Sequence, residues 1–428
     1  VEDEVIAAAM GLKTPPKVRQ LQRTLYRKAK ENKAWRAWSL YGHLLRRDVL
    51  GTALAAVVRN GGAAGMDGVT VEQVQGDREA FLDTLLGQLQ EKSFRPSPVL
   101  RQWVPKADGK QRPLGIPTVK DRIVQMALLL MLQPIFEADY HESSYGYRPG
   151  KSAQQALDAI RQAIRQGYHE VIDADLSGYF DTINHAALLK LVKQFLQAPI
   201  VERSGGKQRI TPNKTGTPQG GVLSPLLANL YLDSLDHQAN EPETKAKMVR
   251  YADDFVLLCR PGHAPALHRR LEKYLQAKGL RLNPTKTRLL NAHQERFSFL
   301  GFEVSWRKSA VTNRHYVHVE PSGKSQMALR DKVRNELNRW THWESCAAKV
   351  RRLNAILRGW GGYFHYSHCT RVLRRTQNWV QERLRTWLWQ KYDRTHSRYE
   401  FFTTARLVGQ YGLYQLPLHA PWKPTANR

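Results

Sequence analysis

Hydrophobic positions along this chain change period several times, and the changes mark out its elements. Leu21 and Leu25, with Trp35 and Trp38, fall at roughly helical spacing, so residues 1–50 read as basic helix. Gly61, Gly62, Gly65 and Gly68 form a loop before a second helical run over residues 70–92, carried by Phe81, Leu82, Leu85, Leu86 and Leu89. Val99–Pro105 and Arg112–Ile116 read as paired strands across an Asp108-Gly109 turn, and an apolar helix follows over residues 119–140. Between residues 141 and 300 strands and helices alternate. His169–Leu176, Leu280–Leu282 and Phe297–Val304 read as strands, and Lys247–Cys259 as a hairpin. Leu223–Asp236, opened by Ser224-Pro225, and Pro265–Lys278, stopped by Gly279, read as helices. Beyond about residue 320 the period turns helical, with Leu353, Leu357 and Trp360 on one face and Arg351, Arg352 and Arg358 mostly elsewhere. The pattern predicts a mixed helix-and-sheet region followed by a helical extension.

Composition bounds what such a chain does. Its 428 residues are enough for two or three domains, and 42% are hydrophobic, so a core can be buried. The longest apolar stretch, Met126–Leu132, suits a buried helix and is far too short to span a bilayer. Val1–Met10 lacks the basic-then-apolar layout of a secretion signal. Cys259, Cys346 and Cys369 have no paired spacing, which argues against a disulfide framework or a cysteine-rich zinc site and predicts a reducing, intracellular setting. Charge is the sharper clue. Lys and Arg number 66 against 38 Asp and Glu, a net of +28, which calls for a polyanionic partner. From Gly301 onward 23 Lys and Arg face 8 Asp and Glu, and eight of the eleven Trp lie there. Arginine grips phosphate and tryptophan stacks on bases, so the partner is read as nucleic acid.

Against that basic background the acids stand out. Asp253 and Asp254 adjoin in Tyr251-Ala252-Asp253-Asp254-Phe255, between the apolar runs Met248-Val249 and Val256-Leu257-Leu258. Two carboxylates at a hairpin tip repel each other unless a cation lies between them. A second site joins them: Val171 to Leu176 reads as a strand emerging from the core with Asp173 and Asp175 on one face by period two, and Asp181 follows. One Asp at a strand end with two on a hairpin is the donor set a pair of Mg²⁺ ions requires. Two such ions, about 3.5–4 Å apart, activate a 3′-hydroxyl and stabilise a leaving pyrophosphate.

Five motifs in order resemble the group II intron-encoded branch of the reverse transcriptases, across about residues 50–305. They are Arg112-Pro113-Leu114-Gly115-Ile116-Pro117, Tyr145-Gly146-Tyr147-Arg148-Pro149-Gly150, Asp175-Leu176-Ser177-Gly178-Tyr179-Phe180-Asp181, Gly216-Thr217-Pro218-Gln219-Gly220-Gly221-Val222-Leu223-Ser224-Pro225 and Tyr251-Ala252-Asp253-Asp254. The resemblance implies Asp175, Asp253 and Asp254 as the catalytic, metal-binding carboxylates, with the Leu176 carbonyl as a further metal ligand. It leaves Asp173 and Asp181 outside that role. It also implies Lys106 and Arg112 on the triphosphate, Phe180 beneath the sugar as a filter against a 2′-hydroxyl, and Gln219 on the incoming dNTP. Lys286, in Asn283-Pro284-Thr285-Lys286-Thr287, resembles a lysine that protonates the leaving pyrophosphate as general acid. The implied cofactor is Mg²⁺, two ions, with Mn²⁺ as substitute. Gly61–Val69 resembles the glycine-rich segment that braces the template strand. Arg358-Gly359-Trp360-Gly361-Gly362-Tyr363-Phe364 resembles the thumb or maturase region that grips primer duplex and intron RNA, with Arg351, Arg352 and Arg358 as candidate nucleic-acid contacts. His365, His368 and Cys369 read as packing, not as a metal site. The chain ends without the cysteine-paired nuclease that many such proteins carry, so target-DNA cleavage is not expected.

The expected fold is an α+β right-hand polymerase. Residues 1–120 would form the N-terminal extension and fingers, and 121–305 the palm, with an antiparallel sheet, helices and part of the fingers. Residues 306–395 would form an α-helical thumb, and 396–428 a short basic tail able to touch DNA. The expected partners are an RNA template, intron RNA, a DNA primer or target and dNTP, in a ribonucleoprotein in the bacterial cytoplasm and without a membrane. Two other readings stay open on these residues: a domesticated relative serving immunity or repair, and an RNA-binding splicing cofactor that does not polymerise.

Overall fold

The computed structural model describes residues 14–33, 35, 40–105, 109, 111–175, 190–204, 207–213, 220–392, 395 and 397–418. They fall into two compact units: residues up to 159 with 172–289, and residues 160–171 with those from 290 onward. No helix among the described residues is long and apolar enough to cross a membrane.

The first unit begins with helices. Pro16–Glu31 starts on a proline, whose missing N–H is no loss in a first turn. Arg47–Asn60 and Val119–Glu137 join it around a core of Leu21, Leu25, Leu50, Leu54, Ile123 and Leu130. Val119–Glu137 is buried on nearly every side, which explains its apolar run. The expected helix over residues 70–92 is two helices, Val71–Gly76 and Arg78–Gln90, broken at Asp77. Thr70 and Gln73 close a capping box on the first of them, and this local hydrogen bonding was not separated from the apolar period.

Two sheets follow in this unit. Strands β1 (Val99–Pro105) and β2 (Gln111–Ile116) pair antiparallel as expected. Beside β1 runs a hairpin absent from the sequence reading, β4 (Ile200–Ser204) with β5 (Lys207–Thr211), giving the order β2-β1-β4-β5. Strand β5 is exposed at every residue, so no apolar alternation announces it. The second sheet has the order β6-β7-β3-β8, from β6 (Ala246–Tyr251), β7 (Asp254–Cys259), β3 (Glu170–Asp175) and β8 (Arg288–Asn291). Helices Ser224–Ala239 and Ala264–Ala277 pack on it through Leu232, Leu235, Leu271 and Leu275 against Ile172, Met248, Phe255 and Leu257. Leu280–Leu282 forms no strand, only an isolated bridge at Leu282.

The second unit opens with an antiparallel sheet, β9 (Phe297–Phe299), β10 (Phe302–Lys308) and β11 (His315–Pro321); the single strand expected over Phe297–Val304 is two antiparallel strands, turned at Leu300-Gly301, and β11 was not foreseen. Helices Gly323–Glu336, Cys346–Phe364 and Thr370–Tyr392 follow, the first two capped by Ser322 and Ser345. Their core joins Val333, Leu353, Leu357, Leu373, Leu384 and Trp387, and is closed by Phe402, Leu407 and Leu413. The mixture of helices and antiparallel sheets agrees with the α+β class read from the pattern.

Candidate active site

The hairpin of β6 and β7 is as tight as a hairpin can be. Tyr251 pairs with Asp254, leaving only Ala252 and Asp253 in the turn. Ala252 takes φ +60°, a left-handed conformation that a two-residue hairpin demands and that only glycine adopts freely. An alanine is held there by its surroundings. Arg250, fully buried on β6, donates from all five of its N–H groups: Nη1 to the Ala252 carbonyl at 3.0 Å and to Asn229 Oδ1 at 2.8 Å, Nη2 to Ser144 Oγ at 2.8 Å and to Asp236 Oδ2, and Nε to Asp236 Oδ1 at 2.8 Å. Asp236 is equally buried, so the two charges neutralise each other out of water. Backbone bonds add a second clamp, with Arg250 N donating to Ser143 O at 2.9 Å and Tyr145 N to Arg250 O at 2.8 Å.

Gly146 completes the support. A Cβ at this position would lie 2.3 Å from Ala252 N, so only glycine lets the 145–150 segment press against the turn. Asn229 Nδ2 donates to the Gly146 carbonyl at 2.7 Å, tying the same helix to both layers. Tyr147, beside it, lies 6.5 Å from Tyr251 between ring centroids.

Beside the tip, Asp173 and Asp175 share one face of β3, between buried Ile172 and Ala174. Burial raises Asp253 above the usual carboxylate range, and the charge of Asp175 raises it further, opposed in part by Arg112 and Lys286. Asp254, on the rim of the site, is pushed up to about 6 by the partial loss of water around its carboxylate and by Asp253, Asp175 and Asp173. Asp173 is likewise pushed up to about 6 by burial first and by Asp175 second, with Arg288 opposing. The acids therefore form one electrostatic unit of mutually repelling carboxylates. Lys286 Nζ donates to Asp175 Oδ2 at 2.8 Å, and Asn283 N to the Asp175 carbonyl at 2.8 Å. An ammonium thus sits where the donor set favours a cation, and hard carboxylate oxygens with room for water suit Mg²⁺.

The structure brings together Asp175, Asp253, Asp254, Lys286 and, through its field on Asp253, Arg112. Lys106, Leu176, Phe180, Asp181 and Gln219 lie outside the described residues. Arg351, Arg352 and Arg358 belong to the second unit and differ among themselves. Arg351 is exposed. Arg352 is paired with Glu336 at 2.7 Å and with Glu344, and Arg358 lies over the Tyr414 ring at 5.3 Å. His368 and Cys369 are held in the fold, His368 Nδ1 accepting from Val319 N at 3.2 Å and Cys369 fully buried. Sequence reasoning missed Arg250, Asp236 and Asn229. Their signal was a charged residue on the apolar phase of β6, with Ala246 and Met248, facing a helix that carries polar residues seven apart. Among the described residues the one trio of metal-capable side chains drawn within 4.8 Å is Asp139, Asp233 and His237, and there Asp139 already pairs with Lys33 at 3.5 Å.

Two families match this chain. One, described as reverse transcriptase (RNA-dependent DNA polymerase), matches residues 104–304, and the other, described as the group II intron maturase-specific domain, matches residues 326–404. Protein YkfC of Escherichia coli K12 is 29% identical over 358 residues, covering 72% of this chain and 94% of its own. The group II intron-encoded protein LtrA of Lactococcus lactis is 34% identical over 211 residues, 46% of this chain and 34% of LtrA. An uncharacterized 91 kDa protein in the cob intron of Schizosaccharomyces pombe is 24% identical over 415 residues, 76% of this chain and 50% of that one. The chain therefore spans nearly all of YkfC, about a third of LtrA and half of the yeast protein.

Proposed function

We propose that this chain, which belongs to the group II intron-encoded reverse transcriptase and maturase family, adds dNTPs to a primer 3′-end on an RNA template, with Asp175, Asp253 and Asp254 as its catalytic carboxylates. The observation that carries the reading is the convergence of the two-residue hairpin tip with the acid-bearing end of β3, where the charge of Asp175 raises both Asp253 and Asp254. Asp175, Asp253 and Asp254, with the Leu176 carbonyl, would hold two Mg²⁺ ions, for which Mn²⁺ can substitute. Held by these groups, such ions would supply Lewis acidity, lowering the pKa of the attacking 3′-hydroxyl and offsetting charge on the phosphate.

The chain's own side chains supply the rest. Arg112, with Lys106, would hold the triphosphate oxygens and orient the α-phosphate in line with the primer. Phe180 would close the space beneath the sugar to a 2′-hydroxyl, and Gln219 would contact the incoming nucleotide. Lys286, bonded to Asp175, would give a proton from its Nζ to the departing pyrophosphate. The maturase-specific region supports a second role on the same chain, binding intron RNA and assisting its splicing, within a ribonucleoprotein.

The test is primer extension on an RNA template with dNTPs and Mg²⁺, beside the Asp253→Ala, Asp254→Ala double variant. Extension by the wild type alone is expected. Equal extension by both would remove the assigned site, and no extension by either, with RNA binding intact, would leave a splicing cofactor.

A further inference from the structure

Four flat rings in the second unit are stacked in series. His169 and His293 lie 4.1 Å apart at 17°, His293 and Trp306 4.3 Å apart at 26°, and Trp306 and His315 5.8 Å apart at 2°. The stack is built by the backbone. Ala292 N donates to the His169 carbonyl at 2.7 Å, setting His293 beside His169, and Asn291 Oδ1 accepts from His293 N at 2.9 Å. Trp306 and His315 come from the same face of the β10–β11 ladder, on which Lys308 stands directly opposite His315. His293 and His315 are exposed. Burial, with His169 and His315 as near neighbours, keeps His293 below its ordinary value, so its ring is uncharged at neutral pH and stacks without repulsion. His169 Nδ1 is out of water and without a hydrogen-bond partner, so that ring contributes its face alone.

We propose that this column is a stacking platform for an unpaired nucleobase, which extends the series on the open side of His315. Two features choose that occupant. The rings are near-parallel flat faces, the geometry on which bases of any sequence stack. The terminal ring is flanked by Lys308 and Arg314, in a segment whose net charge from Gly301 onward is +15, and so attracts a polyanion. In a duplex both faces of an internal base are taken by its stacked neighbours, so the platform selects single strands over duplex. The proposal does not depend on polymerase chemistry, because binding needs no dNTP and is measurable on the Asp253→Ala, Asp254→Ala variant.

The experiment is fluorescence anisotropy of the full chain with labelled single-stranded RNA, single-stranded DNA and duplex of equal length, across a salt series. His315→Ala is expected to weaken single-strand binding by about 5- to 150-fold, one lost stacked base, with the salt slope unchanged and duplex binding unaffected. His315→Phe is expected to restore it, since a ring is required and an imidazole is not. Lys308→Ala should do the opposite, lowering the slope by roughly 0.7, one phosphate contact on a single strand. Loss on RNA and DNA alike means the base alone is read, and loss on one only identifies the strand the platform takes. Equal weakening on single strand and duplex, less than a twofold effect of His315→Ala, or failure of His315→Phe to restore binding would overturn the proposal. His315 is exposed, and thermal melting of each variant verifies that the fold is intact.

Discussion

Removing the Arg250 guanidinium should damage the protein in two separable ways. Arg250→Met leaves the Asp236 carboxylate fully buried with no counter-charge, and breaking a buried pair from one side costs about 3–5 kcal/mol. That is a large part of the ~5–15 kcal/mol that holds a typical domain together. Arg250→Lys keeps the charge but offers three N–H groups to five acceptors, so two stay unsatisfied at about 1–3 kcal/mol each. The decisive variant is Arg250→Met with Asp236→Leu. With neither charge buried, most of the stability returns. The bond to the Ala252 carbonyl does not, and the left-handed turn is free to relax. Asp253 then shifts, and a misplacement of about 1 Å costs roughly 100-fold in rate. Denaturant unfolding followed by circular dichroism reads the first effect, and single-turnover primer extension well below the melting temperature reads the second. Wild-type extension by the folded double variant would refute the positioning role. An Arg250→Met protein within ~1 kcal/mol of wild type would refute the buried pair as a unit, since that falls below the cost of any broken buried pair.

Three further outcomes are expected. Asp121 is buried, has one carboxylate oxygen without a partner, and is pushed up to about 6, so between about pH 4 and 6 the folded chain holds a proton the unfolded chain has lost. Stability should therefore fall as pH rises through that window, by roughly 3 kcal/mol in all, and Asp121→Asn, which still accepts from Ser97 N, should flatten the fall in urea titrations at each pH. Lys286→Gln should lower the single-turnover rate about 10²- to 10⁴-fold if Lys286 is the proton donor, and an unchanged rate would return it to the status of an exposed ion-pair partner of Asp175. Arg351→Ala should reduce the salt slope of RNA binding by roughly 0.7–0.9, whereas Arg352→Ala should leave the slope alone and lower the melting temperature, because Arg352 is occupied by Glu336 and Glu344.

What was legible in the sequence, and what was not, follows from what each element shows along the chain. The hairpin carrying Asp253 and Asp254 was legible because apolar runs flank the acids on both sides, and β3 because its acids alternate with buried residues at the strand's end. The β4–β5 hairpin was not, since a fully exposed edge strand such as β5 has no apolar phase to betray it. The break at Asp77 was hidden because Val71–Gly76 and Arg78–Gln90 are separated by a single residue and no Pro marks the end of the first. The support of the site was hidden for a different reason. Arg250, Asp236, Asn229 and Gly146 are scattered over more than a hundred residues, from 146 to 250, and an isolated Arg or Asp reads as a solvated charge until the fold puts it in the core.

That hidden support explains how an acidic tip holds its shape. Carboxylates that raise one another by repulsion push apart, so apolar packing alone, being non-directional, would let the turn drift. A directional restraint has to act from the protein side, and it has to act on backbone, because Asp253 and Asp254 must keep their side chains free for ligands. Arg250 meets both conditions, gripping the Ala252 carbonyl while Asp236 cancels its charge, and the backbone at Gly146 packs closely against the same turn. A site held in this way spends no reorganisation when charge develops at it, which is the condition under which fixed dipoles and bound cations act most strongly. The buried pair is thus better understood by the geometry it fixes than by the stability it adds, since an apolar pair of similar volume would supply the stability without the grip.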